Sequence, residues 1–173
     1  MSVQKIPVID IPSGALKKFD PNNFAFGKNF TNYMLEADYV DGEWKNAVIK
    51  QFAPLSLDPS CAVLHYGQTI FEGIKAFKNE KGEVAIFRPD QNFIRFNISA
   101  ERMQMPAVPS WLFMEGMKQL VALEKEWIPN LEDASLYIRP FMIATDPFLG
   151  VRPSQTYKFM IILGPAGPYY AAP

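Results

Sequence analysis

Residues 136–145, "LYIRPFMIAT", restrict the fold more than any other stretch of the chain. A β-strand sends successive side chains to opposite faces. Leu136, Ile138, Met142 and Ala144 then share a face fit for a core, and Tyr137, Arg139, Phe141 and Ile143 share the other. On that second face a tyrosine hydroxyl and a guanidinium stand about 7 Å apart along the strand. A guanidinium in so apolar a strand requires a partner or a solvent-filled recess. Its planar fork suits a carboxylate, and a tyrosine can share the anion. Two readings of this face stay open, a solvent-facing sheet side with a surface ion pair and a ligand-facing one. Pro140 deletes a ladder donor in mid-strand, which predicts an edge strand or a bulge.

The rest of the chain supplies partners for that strand. "TYKFMIIL", ending at Leu163, reads as another strand. "NYMLEADYVDGEWKNAVIKQFAPL" reads as two strands around Asp41-Gly42, and "IKAFKNEKGEVAIF" as a second hairpin around Lys81-Gly82. "RPDQNFIRFNISAERM" predicts a helix, with Pro89 in its first turn and Asp90 at its positive end. Phe93, Phe96, Ala100 and Met103 repeat at helical spacing. Ser110 predicts the N-cap of a second helix, Trp111 to about Trp127, with Phe113, Met117, Leu120 and Val121 as its buried stripe. Pro129 ends it, and Pro7, Pro12 and Pro21 make the first 25 residues an irregular arm. The fold class expected is α+β, an antiparallel sheet with about two helices packed on it.

Several chemistries are excluded by what is missing. Seventeen Lys and Arg nearly cancel eighteen Asp and Glu, for a net charge of −1, so there is no basic footprint for nucleic acid. No apolar run approaches a membrane span or a signal peptide. The single cysteine, Cys61, forms no internal disulfide and fits the reducing cytoplasm. One histidine, His65, with one cysteine cannot make a recognisable metal set. No glycine-rich nucleotide loop is present.

The stretch Leu64–Lys78, "LHYGQTIFEGIKAFK", is unusual in alternating aromatic residues with Gly67 and Gly73. Tyr66, Phe71 and Phe77 offer flat walls with one polar handle, either as a core turn and strand or beside a ligand. Arg95 and Arg102 fall roughly opposite the aromatic stripe of their helix. Either is an ordinary exposed arginine or a phosphate ligand, and periodicity does not choose.

Taken together, "FGKNFTNYML", "LHYGQTIFEGIKAFK", "IFRPDQNFIRFNISAERMQMP" and "SLYIRPFMIATDPFLGV" closely resemble the branched-chain amino acid aminotransferases, which are pyridoxal-phosphate enzymes of the class IV fold. The resemblance covers about Phe26 to Tyr169. It implies that Arg95, in "NFIRF", binds the phosphate of pyridoxal 5′-phosphate. It implies that Phe26, Tyr66 and Phe71 are aromatic walls of the substrate pocket, and that Tyr137 and Arg139 line the site near the substrate carboxylate. Leu149 and Val151, in "FLGV", match a loop that reaches the neighbouring subunit's pocket, and Tyr169 matches an interdomain aromatic. By the same resemblance, residues 1–163 are the small N-terminal domain and 164–173 begin the interdomain linker. The lysine that bonds the cofactor lies in a large domain past the chain's end, so none of the twelve lysines here takes that role and no catalytic residue is assigned. The implied protein is a cytoplasmic homodimer. It exchanges amino groups between leucine, isoleucine or valine and 2-oxoglutarate, with branched-chain amino acids and 2-oxo acids as its small-molecule partners and neither nucleic acid nor membrane among them. This chain alone is expected to be inactive. Another class IV relative, such as a D-amino acid aminotransferase or an aminodeoxychorismate lyase, and a non-catalytic dimerisation or regulatory module are the competing readings.

Overall fold

The structure is a computed structural model and describes residues 5–167. Its seven strands are β1 (Tyr33–Val40), β2 (Glu43–Gln51), β3 (Thr69–Phe71), β4 (Ile74–Lys78), β5 (Val84–Ile86), β6 (Ser135–Ala144) and β7 (Tyr157–Ala166). They form one antiparallel sheet in the order β2-β1-β7-β6-β4-β5, with β3 also paired to β6. Asp41 and Gly42 both have positive φ, 55° and 81°, the geometry that lets a two-residue loop follow the strands' twist. Both expected hairpins are present, and β7 runs three residues past Leu163.

Pro140 corrects an expectation, because β6 is an interior strand. On one side β6 meets β7 along its whole length; on the other it meets β3 at one end and β4 at the other. The Pro140 carbonyl accepts from Glu72 N–H at 2.9 Å, at the break between β3 and β4. In a strand a residue's N–H and C=O point the same way, so the absent donor faces that break and no continuous ladder is interrupted.

Three helices accompany the sheet: α1 (Ala62–Tyr66), α2 (Pro89–Arg102) and α3 (Gly116–Leu123). Pro89 is the first residue of α2, as expected. Ser110 is not an N-cap: its backbone is already helical and its side chain caps nothing. Leu112 and Phe113 both bond to the Pro109 carbonyl, so helical winding begins a residue earlier, as a wide turn over Trp111–Glu115 that leads into α3. The expected stripe is nonetheless buried. Phe113, Met117, Leu120 and Val121 join Phe96 and Ala100 of α2 against Leu136, Ile138, Met142 and Ala144 of β6. Phe159 and Ile161 of β7 complete this core. The arm is more ordered than its prolines suggest. Pro7 and Ile9 exchange hydrogen bonds with Ile49 on the outer edge of β2, and the Gln119 amide clamps Ile6 at 3.1 and 2.7 Å.

Glu124, next to this core, is buried, and its carboxylate accepts from the Tyr33 N–H at 2.5 Å. Burial raises its pKa above the ordinary 4.5, and bonds from Tyr33, Asn32 and Thr31 offset this only in part. The folded chain therefore holds this proton more tightly than the unfolded one. That contribution to stability is fully present below about pH 4.5 and is lost as pH rises through the raised value. Glu124→Gln has no such proton to lose. Its melting temperature relative to the parent should climb as pH goes from 4 to 7, by a few degrees for about 1 kcal/mol. Melting curves of both proteins across that range test this, and a constant difference would contradict it.

Candidate functional site

Because the helices cover one face of the sheet, the other face is free, and it carries the second row of β6. Tyr137, Arg139 and Phe141 line a hollow of about 420 Å³ there. Phe71 of β3, Ile162 of β7, and Phe26 and Phe30 from the segment between the arm and β1 close its sides. The rings are held by one another: Phe26 meets Tyr137 edge-on at 5.1 Å, and Phe30 stacks on Phe52 at 4.9 Å. The Arg139 guanidinium lies 4.1 Å from the Phe71 ring centroid and donates to the Tyr137 hydroxyl at 2.8 Å. Among the described residues no carboxylate pairs with Arg139. The surface ion pair considered from sequence is therefore not formed. The hollow is an apolar, aromatic box with one cationic, hydrogen-bonding end, which suits a small molecule bearing a hydrocarbon part and a carboxylate.

A second hollow, about 570 Å³, adjoins the first, and Tyr137 lines both. Gly73 makes this possible: a Cβ on it would lie 2.5 Å from the Tyr137 hydroxyl oxygen. Lys75 pairs in register with Tyr137 and, with Arg88 and Arg95 of the α2 end, gives this hollow three cationic groups. Arg88 stands just ahead of Pro89 in the left-handed region, φ 44°, at the turn into α2. Arg95 is gripped by Glu72 through Nε at 3.0 Å and Nη2 at 2.7 Å. Burial pushes the Glu72 carboxyl up, but bonds from Arg95 and Asn92, the Arg95 charge and the Gly73 N–H together hold it below the usual carboxylate value. It is thus ionised at neutral pH. The remaining surplus of positive charge suits an oxyanion.

Of the residues singled out in the sequence, Phe26, Phe71, Tyr137 and Arg139 gather in the first hollow, and Arg95 joins them through the shared tyrosine. Tyr66, at the end of α1, lines neither hollow, nor do Leu149 and Val151 on the β6–β7 loop, where Val151 is 94% exposed. Tyr169 lies outside the described residues. Glu72, Lys75 and Arg88 were not anticipated as site residues. All three lie inside motif stretches, Glu72 and Lys75 in "LHYGQTIFEGIKAFK" and Arg88 in "IFRPDQNFIRF", but only the tertiary structure shows that they meet. Cys61 and His65 are each satisfied by backbone, Sγ by the Ala144 carbonyl and Nε2 by that of Pro59. Among the described residues no cluster of ligands could hold a metal ion, and no helix is long and apolar enough to cross a membrane.

No family model matches the chain. Branched-chain-amino-acid transaminase 1 of Bacillus subtilis (strain 168) is 52% identical over 155 residues, covering 89% of this chain and 44% of that protein. Branched-chain-amino-acid aminotransferase 2 of the same organism is 50% identical over 163 residues, covering 94% of this chain and 45% of that protein. The chain thus spans less than half the length of the relatives it matches. Among solved structures, a T.th. branched-chain amino acid aminotransferase complexed with N-(5′-phosphopyridoxyl)-L-glutamate superposes with a TM-score of 0.54 at 27% identity. That match covers 74% of this chain and 40% of the other.

Proposed function

We propose, taking as premise that this chain is homologous to the N-terminal part of the branched-chain aminotransferases, that it is the small domain of such an enzyme. The enzyme would exchange amino groups between branched-chain amino acids and 2-oxoglutarate. One observation carries the reading: an aromatic box ending in Arg139 shares the Tyr137 wall with a cationic hollow that contains Arg95. Two such recesses side by side suit a substrate carboxylate and side chain in one and a cofactor phosphate in the other.

The residues present fit pyridoxal 5′-phosphate at that phosphate, because the end of the Arg95 guanidinium not held by Glu72 is free to take oxyanion oxygens. When bound, the cofactor supplies the electron sink and carries the amino group between substrates. This domain's own residues bind and orient. Arg139 and Tyr137 fix the carboxylate, and Phe26, Phe30, Phe71 and Ile162 exclude water from the hydrocarbon part. Each buried methylene contributes about 0.8 kcal/mol, so discrimination among leucine, isoleucine and valine by this wall is modest. A charged side chain pressed against it is rejected far more strongly. The lysine that holds the cofactor, and the rest of its contacts, would lie past residue 173, residues 164–173 leading to that domain. The exposed Leu149 and Val151 suit contact with the other subunit of a homodimer, and the buried lone cysteine suits the cytoplasm.

The protein encoded by the complete gene should release the keto acid of leucine in the presence of 2-oxoglutarate and be silent with D-alanine; the reverse preference sinks the reading. A stop codon directly after Pro173 would favour a non-catalytic module. The 173-residue chain by itself should retain no cofactor absorbance after incubation with pyridoxal phosphate and desalting, and should self-associate in sedimentation through its open aromatic face. A retained yellow species that borohydride fixes would contradict the assignment of the lysine to another domain.

A further inference from the structure

Glu72 sits at the break between β3 and β4 with its side chain 10% exposed, and no task has been given to its carboxylate. Oε1 accepts from Arg95 Nε at 3.0 Å, and Oε2 from Arg95 Nη2 at 2.7 Å. Oε2 also accepts from the buried Asn92 amide at 2.8 Å, which donates again to the Gly73 carbonyl at 3.3 Å. Asn92 and Arg95 are three apart on α2, so the carboxylate spans two side chains of one helix face. The acid and the amide are fixed by burial. Arg95, 61% exposed, is the member that would otherwise swing.

The grip uses only the side edge of the guanidinium. Of its five N–H donors, the two on Nη1 and one on Nη2 remain, and among the described residues they have no protein partner. Two of these, one on each Nη, lie along the end edge, whose spacing matches two oxygens of a phosphate. We propose that Glu72 is a positioning residue: it holds Arg95 by the side edge so that the end edge is preset for a phosphate oxyanion in the cationic hollow. The inference rests on the reading of Arg95 as the phosphate-binding residue.

Two effects oppose each other. Glu72 is itself negative and repels a phosphate held beyond the guanidinium. At roughly 6 Å and the dielectric of water, repulsion of a phosphate carrying between one and two charges weakens binding by about threefold once physiological salt screens it. An arginine without the brace must be ordered by the phosphate, which weakens binding by about fivefold. In physiological salt the second effect is the larger. Removing the acid should therefore weaken phosphate binding, against the simple charge expectation.

The test is titration of the ¹⁵N-labelled protein encoded by the complete gene, freed of cofactor, with inorganic phosphate at fixed ionic strength, following the arginine Nε–H resonances. In the parent protein the Arg95 Nε–H should exchange slowly with water and respond to phosphate. Glu72→Gln should lose that protection and bind phosphate about twofold more weakly. Unchanged or tighter phosphate binding by Glu72→Gln overturns the inference. Should that variant fail to fold, Asn92→Ala keeps the charge but loosens the brace; it too should weaken binding, and an unaltered affinity overturns the inference. Arg95→Gln separates the two levels of the argument. If it leaves phosphate binding intact, the reading of Arg95 fails; if it abolishes binding while the Glu72 and Asn92 variants do not weaken it, only the positioning role fails.

Discussion

Phe159→Ala is expected to lower folding stability by about 3–5 kcal/mol. The ring is fully buried on β7, the strand between β1 and β6, so its backbone cannot follow a collapsing cavity without disturbing two ladders. It packs edge-on against Phe96 of α2 at 5.6 Å and tilted against Phe113 at 5.8 Å, and Trp44 of β2 approaches it at 6.2 Å. One truncation thus removes the centre of a cluster to which the sheet and both long helical segments contribute. Part of the loss is transfer of the ring, part is the cavity, and aromatic pairing adds to both. Against a total stability of about 5–15 kcal/mol, this loss removes from about a fifth to all of the margin. Urea unfolding followed by tryptophan fluorescence measures it, Trp44 reporting directly. The midpoint should fall steeply with little change in slope. A loss under about 1 kcal/mol would mean that the core is held elsewhere.

Arg139→Leu, in the protein encoded by the complete gene, is expected to lower kcat/KM for leucine by about 100-fold, equivalent to about 2.7 kcal/mol. The guanidinium is oriented before any ligand arrives, by the Phe71 face at 4.1 Å and the Tyr137 hydroxyl at 2.8 Å, and it has no carboxylate partner among the described residues. Its replacement leaves a substrate carboxylate desolvated in an aromatic box with only the tyrosine to meet it. Because a carboxylate is present in ground state and transition state alike, much of the loss should fall on KM. Arg139→Lys should recover only part, since an ammonium is a point charge without the fork and packs poorly on Phe71. Steady-state kinetics of the three proteins settle the matter. A change below about threefold for Arg139→Leu would place the carboxylate elsewhere.

The strand readings held because alternation is a local property. Leu136, Ile138, Met142 and Ala144 are all core, and Tyr137, Arg139 and Phe141 of the opposite row line the hollow, as period two requires. The buried stripe from Phe113 to Val121 held for the same reason at period 3.6. Errors arose where a residue answers to a neighbour distant in sequence. Pro140 reads as an edge residue when β6 is considered alone. It is tolerated inside the sheet only because the facing strand breaks at Glu72–Gly73, 67 and more positions earlier in the chain. Ser110 is a different case, a local one: it reads as a cap, yet the carbonyl of the adjacent Pro109 starts the winding first.

From its own residues the chain determined an antiparallel sheet with helices on one face, and an arginine and a tyrosine sharing the other. These follow from side-chain period and turn chemistry, which act over a few residues. Which strand lies beside which, and so that Gly73 clears the way for Tyr137, that Glu72 grips Arg95, and that Lys75 and Arg88 enter the same hollow, was decided only in three dimensions. Those contacts depend on pairing register and on the angle at which α2 meets the sheet. Both are set by packing of the whole core, so no short stretch of sequence encodes them.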